Sequence, residues 1–167
     1  SKSLYTRPLE KLTVEDVPIV GGKNASLGEM LGHLKNKGVR VPSGFAVTAE
    51  GYWFFLKENG LEKKIAGHLS SMQKTPESIQ KVGKEIRSLL LAADLPKNLK
   101  DEICLAYHTL STEHGKRFLD VAVRSSATAE DLPNASFAGQ QETFLHIKGP
   151  KALIEACKKC FASLFTD

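Results

Sequence analysis

The stretch Phe118-Leu119-Asp120-Val121-Ala122-Val123-Arg124-Ser125-Ser126 divides the chain into two kinds of periodicity. β-branched Val121 and Val123 alternate, so Phe118 to Val123 reads as a strand. Before it the period is helical. Pro96 to about His114 repeats Leu99, Ile103, Ala106, Tyr107 and Leu110, and Pro76 to Ala93 repeats Ile79, Val82, Ile86, Leu89 and Leu90. Leu61 to Met72 supports a further helix, and Pro76 and Pro96 stand where a first turn tolerates a missing donor. After the dividing stretch, Glu142 to Ile147 alternates Thr143, Leu145 and Ile147 with Phe144 and His146, a second strand. Lys151 to Phe165 closes with an amphipathic helix of Leu153, Ile154, Cys157, Phe161, Leu164 and Phe165.

Further out, Thr48 reads as an N-cap, with Gly51 where a capping box would have Glu. The helix it starts carries Tyr52-Trp53-Phe54-Phe55-Leu56 and stops at Asn59-Gly60; this aromatic run reads as core rather than as a base-stacking platform. Val39 to Thr48 reads as extended, interrupted by Pro42-Ser43-Gly44. Lys23 to about Lys37 places Ala25, Leu27, Met30, Leu31 and Leu34 on one helical face before Gly38. The fold class is α+β, helix-rich with a small mixed sheet, in one compact unit.

Composition narrows the function. The chain has 167 residues, 41% hydrophobic and 25% charged, which suits one globular domain with a core of its own. No run approaches the ~18 apolar residues of a bilayer span. Ser1 to Arg7 lacks the apolar core of a signal peptide, so a cytoplasmic, membrane-free protein is expected. Three cysteines, Cys104, Cys157 and Cys160, imply no disulfide framework. Twenty-three Lys and Arg against 19 Asp and Glu give +4, interspersed rather than blocked, and aromatics are 7%. That argues against nucleic acid and leaves a small polyanion compatible.

Three stretches could hold such an anion. In Val20-Gly21-Gly22-Lys23-Asn24-Ala25-Ser26-Leu27-Gly28, two glycines precede a helix whose orphan amides and dipole favour negative charge. Lys23 in the first turn opposes that dipole unless an anion is bound; spacing alone leaves a solvent-facing lysine equally open. The stretch is not a P-loop, because Val17 and Asn24 occupy the places of its first Gly and its Ser or Thr. Val121 to Asp131 brings Arg124 to the end of an apolar strand and into the hydroxyl-rich Ser125-Ser126-Ala127-Thr128, a way to aim a guanidinium at phosphate. A surface pair of Arg124 with Glu130 or Asp131 is the plainer alternative. Asn134 to Thr143 is a small-residue loop around Gly139 whose amides could close over a phosphate chain.

Together these carry a family resemblance. Gly21 to Met30, Val41-Pro42-Ser43-Gly44-Phe45, Val123 to Asp131 and Ser136-Phe137-Ala138-Gly139-Gln140-Gln141-Glu142-Thr143-Phe144-Leu145 resemble, in order, the ATP-binding N-terminal part of the phosphoenolpyruvate synthases, or pyruvate, water dikinases. Pyruvate phosphate dikinase and rifampicin phosphotransferase share parts of the pattern and are the alternatives. The resemblance implies one lobe of an ATP-grasp domain. It implies that Lys23 and Arg124 contact ATP phosphates, and that a loop from Ser136 to Thr143 covers them. Gly21, Gly22, Ser125, Gly139, Gln140, Gln141 and Thr143 complete the expected nucleotide site. The family reaction passes the β-phosphoryl of ATP to a histidine on a swivelling domain and then to pyruvate on a barrel domain, releasing AMP and phosphate.

Nothing in this chain matches the Gly-Gly-x-Thr-x-His phosphohistidine segment, a second lobe with acidic Mg²⁺ ligands, or the barrel. Those parts, and the metal ligands, are expected beyond Asp167, and an apolar face left for the missing lobe would favour homo-oligomers. His33, His68, His108, His114 and His146 are read as structural or solvated. Cys157-Lys158-Lys159-Cys160 is read as a core-facing pair rather than a zinc half-site. Glu130 and Asp131 could orient Arg124 or approach a metal. The alternative from another class is a helical binding module using Tyr52 to Leu56 and the last helix.

Overall fold

The structure, a computed structural model, describes residues 4–12, 44–125 and 142–166. A short strand β1 (Thr6–Pro8) and a 3₁₀ turn (Leu9–Lys11) come first. Strand β2 (Phe45–Val47) and helices α1 (Ala49–Glu58), α2 (Leu61–Ser71), α3 (Pro76–Ala92) and α4 (Lys97–Glu113) follow. Strands β3 (Val121–Arg124) and β4 (Thr143–Ile147) and helix α5 (Pro150–Ser163) complete the described chain.

The helix ends follow local chemistry. Thr48 Oγ1 accepts from the Gly51 amide at 3.2 Å and donates to the Leu4 carbonyl at 3.0 Å, so one hydroxyl starts α1 and ties it to the N-terminal segment. Gly51 replaces the capping-box Glu for want of room. A Cβ there would lie 3.1 Å from Leu99 Cδ1 and Val47 Cγ1. Gly60, at φ 62°, turns the chain into α2. Thr75 caps α3, with Pro76 at its first position. Gly115 ends α4 in the left-handed region: its amide and that of Lys116 reach the Thr112 and Ser111 carbonyls at 2.9 Å, a Schellman pair.

The helical stripes meet in one core. Phe55 from α1, Ile86 and Leu90 from α3 and Leu99 and Ile103 from α4 are wholly buried. Leu153 and Cys157 of α5 join them, with Phe165 just beyond its end. Phe161 packs its ring against Tyr52 and Phe55 at centroid distances of 5.2 and 5.5 Å. Helices α3 and α5 cap each other's C-termini with cations. Lys158 Nζ, almost fully buried, donates to the Leu91 and Ala93 carbonyls at 3.2 Å, while Arg87 donates to the Phe165 carbonyl at 2.6 Å.

The α+β, helix-rich class is observed, with a different sheet arrangement. Among the described residues the strands form two separate antiparallel pairs: β1 with β2, in register Thr6↔Val47, and β3 with β4. Three-residue β1 is too short to show an alternation and was not expected. In the second pair Val121 faces Ile147 but Val123 faces Phe144, so β4 carries one extra residue, a bulge. His146, at φ 57°, supplies the left-handed turn. Phe144 and Ile147 are half-buried and Leu145 is 61% exposed, which breaks the plain alternation expected of Glu142 to Ile147.

Candidate functional site

The β3–β4 hairpin carries the sequence-identified residues that the structure describes. Half-buried Val121 and Val123 point its inner face at the core, and Arg124 projects from the exposed side. Arg124 lies directly opposite Thr143, so the two share that face at the open end of the ladder. The next rung is closed twice: the Ser125 amide donates to the Glu142 carbonyl at 3.0 Å, and the Glu142 amide donates to Ser125 Oγ at 2.9 Å. The 126–141 connection therefore leaves and returns through a clamped pair. Among the described residues Arg124 has no carboxylate within ion-pair distance. An exposed guanidinium beside an exposed hydroxyl can hold an anion bidentately.

Arg124, Ser125 and Thr143 are thus brought together. Gly21, Gly22, Lys23, Gly139, Gln140 and Gln141 lie outside the described residues, as do Glu130, Asp131, His33 and the helix expected from Lys23 to Lys37. Of the described histidines, His108 is exposed and the other three are engaged locally. His68 meets Glu85 at 2.9 Å, His114 Nδ1 lies 2.9 Å from the Leu110 carbonyl, and His146 stands 3.6 Å from Asp120.

The CxxC thiols are buried in α5 beneath the hairpin. Burial pushes Cys157 up to about 12, with smaller contributions from Cys160 and Cys104. Burial and then the Glu142 charge push Cys160 to about 12 as well. Both are held as thiols, poor nucleophiles and poor metal ligands. No three His, Cys, Asp or Glu side chains gather as a metal site among the described residues. Tyr52, Phe55 and Leu56 are core, which removes most of the surface a helical binding module would use; Trp53 is 40% exposed. No helix among the described residues is long and apolar enough to cross a membrane.

Two residues bearing on the site went unread in the sequence. Lys158 showed only a carboxylate three positions earlier, Glu155, now 3.2 Å away; its two carbonyl acceptors are more than sixty residues distant. Tyr107 showed as one more apolar position in α4, with nothing to mark its hydroxyl's partners.

Residues 17–167 match the family described as pyruvate phosphate dikinase, AMP/ATP-binding domain. The chain is 52% identical over 164 residues to a phosphoenolpyruvate synthase of Neisseria meningitidis, covering 98% of this chain and 21% of the relative. It is 49% identical over 164 residues to that of Helicobacter pylori, covering 98% and 20%. With the synthase of Aquifex aeolicus it shares 49% over 160 residues, covering 95% and 19%. The chain spans about a fifth of the length of these curated relatives.

Proposed function

We propose, on the premise that the chain belongs to the pyruvate phosphate dikinase AMP/ATP-binding domain family, that it is the ATP-phosphate-holding lobe of a phosphoenolpyruvate synthase. Residues 1–167 then form a single nucleotide-binding unit of ATP-grasp type. The activity they serve converts pyruvate, ATP and water to phosphoenolpyruvate, AMP and phosphate through a phosphohistidine carried elsewhere. The names of the relatives favour this reading over a rifampicin phosphotransferase or a pyruvate phosphate dikinase.

One observation carries the proposal: Arg124 stands on the exposed face of a clamped hairpin, opposite Thr143, with no carboxylate partner among the described residues. In this reading Arg124 and Lys23 neutralise the triphosphate. The amides around Gly139, Gln140 and Gln141 close over it, and Gly21 and Gly22 let backbone N–H groups approach it. Charge that develops on the transferring phosphoryl is met by donors already in place, which is where fixed charges lower a barrier most. The described residues offer no cluster suited to Mg²⁺, and no step is assigned to that ion. The test is Arg124→Ala in the complete polypeptide. ATP-dependent AMP formation should fall by about 10² to 10³, as for loss of other preorganised charge stabilisers. Wild-type AMP formation by that variant would overturn the reading.

A further inference from the structure

The β3–β4 ladder is short and bulged, with three registered pairs, and a two-stranded ribbon of that size does not hold its own position in water. A guanidinium that must meet a phosphate needs to be held to within about half an ångström. Something outside the ladder therefore fixes the hairpin. The open end is closed by Ser125 and Glu142. At the other end Val121 pairs with Ile147, and one rung further that register sets Leu119 opposite Gly149. The direct bond of that rung is replaced by a side chain from α4: Tyr107 Oη donates to the Leu119 carbonyl at 2.6 Å and accepts from the Gly149 amide at 2.9 Å. One phenol thus joins the residue two before β3 to the residue two after β4.

The surroundings make this a rigid post. Tyr107 is 2% exposed and belongs to the main core. One turn further along α4, Ser111 Oγ accepts from the Leu119 amide at 3.1 Å, so both polar groups of Leu119 are held from the same helix. Gly149, at φ 93°, is the N-cap of α5, so the same hydroxyl also sets where α5 begins beneath the hairpin. The Tyr107 hydroxyl spends both its donor and its acceptor on the two strand ends.

We propose that Tyr107 is the positioning residue of the phosphate-contacting face: its hydroxyl spaces the ends of the hairpin and so sets where Arg124 stands. The proposal rests on the reading of Arg124 given above. Tyr107→Phe removes a single oxygen and keeps the ring. The Leu119 carbonyl and Gly149 amide then either close on each other across the vacated space or separate, and both outcomes displace Arg124 relative to the core.

The experiment measures kcat and KM for ATP in AMP formation by the complete polypeptide, wild type and Tyr107→Phe, each with and without Arg124→Ala. Val82→Ala, a core position of α3 with no part in the Tyr107 contacts, serves as the variant that loses thermal stability alone. Tyr107→Phe should lower kcat/KM for ATP about 5- to 20-fold, as misplaced positioning groups do, while Val82→Ala leaves it unchanged per folded molecule. In the Arg124→Ala background the same tyrosine change should cost less than about 2-fold, because residues acting through one contact are not additive. Ser111→Ala, which frees only the Leu119 amide, should act in the same direction and less strongly. An unchanged kcat/KM in Tyr107→Phe, beside a large loss in Arg124→Ala, would overturn the positioning role and leave the functional reading standing. An equal loss in both backgrounds would also overturn it, as a merely structural effect. No loss in Arg124→Ala would overturn the functional reading and this proposal with it.

Discussion

The helical core and the β3–β4 hairpin are built on opposite principles. In the core, Phe55, Ile86, Leu90, Leu99 and Ile103 lose all contact with water, Thr48 and Thr75 cap the starts of α1 and α3, and even the buried Lys158 has three acceptors. The hairpin leaves its inward side chains only partly buried, contains a left-handed histidine and presents an arginine with no carboxylate partner among the described residues. Stability therefore resides in the first region and the proposed chemistry in the second, with Tyr107 as the connection. Substitutions should separate the two. Phe55→Ala in α1 should cost about 3–5 kcal/mol, seen as a lowered urea midpoint. AMP formation per folded molecule should be retained. Arg124→Ala should do the reverse, changing stability by no more than about 0.5 kcal/mol because its side chain is exposed. If both variants lost stability and activity alike, the division would be false.

The next effect in size belongs to Lys158. Lys158→Met keeps the length of the stem but leaves the Leu91 and Ala93 carbonyls uncapped and Glu155 without its cation. A loss of about 1–3 kcal/mol is expected in chemical denaturation. A stability equal to wild type would mean that α3 ends equally well against water.

These residues also show how far the sequence could be read. Helices α1 to α5 were legible because each repeats apolar residues at three- and four-residue steps, and the residues so identified, such as Ile86, Leu99 and Ile103, are the buried ones. Thr48, Gly60 and Pro76 were legible because capping and turning are local acts of chemistry. Lys158 and Tyr107 were not, since their partners lie 12 to 67 residues away and nothing at their own positions encodes the distance. The candidate site was legible mainly as a family resemblance. Of its residues only Arg124, Ser125 and Thr143 fall within the described chain, where the pairing of Arg124 with Thr143 is new information.

The buried thiols sharpen the contrast through pH. Cys157 and Cys160 are raised by burial from an ordinary 9.0 to about 12 in the folded chain. The unfolded chain therefore releases these protons first. Their contribution is complete below about pH 9 and is lost as pH climbs through the folded values near 12. The urea midpoint should fall on raising the pH from 8 towards 11, and the double variant Cys157→Ala, Cys160→Ala should show a shallower decline. An identical decline in both proteins would assign the alkaline loss to other groups.

The smallest expected effect concerns the bulge, and it decides which residue accompanies Arg124. Continued straight from Val121↔Ile147, the register would put Leu145 opposite Val123 and Phe144 opposite Arg124. The outward face would then hold an aromatic ring beside the guanidinium. The extra residue in β4 turns Phe144 inward with Val123 and leaves Thr143 beside Arg124. That exchange requires a left-handed residue, and His146 takes the role at φ 57°. Its contact with Asp120 at 3.6 Å, between side chains 85% and 57% exposed, adds little. His146→Val, β-branched in a left-handed position, should therefore destabilise by about 1–2 kcal/mol. His146→Gly should be neutral or stabilise by up to about 1 kcal/mol, since glycine adopts that conformation without penalty. Opposite signs from the two substitutions in thermal melts would place the bulge at His146. Equal losses would return β4 to the straight register, and Arg124 would then face Phe144 instead of Thr143.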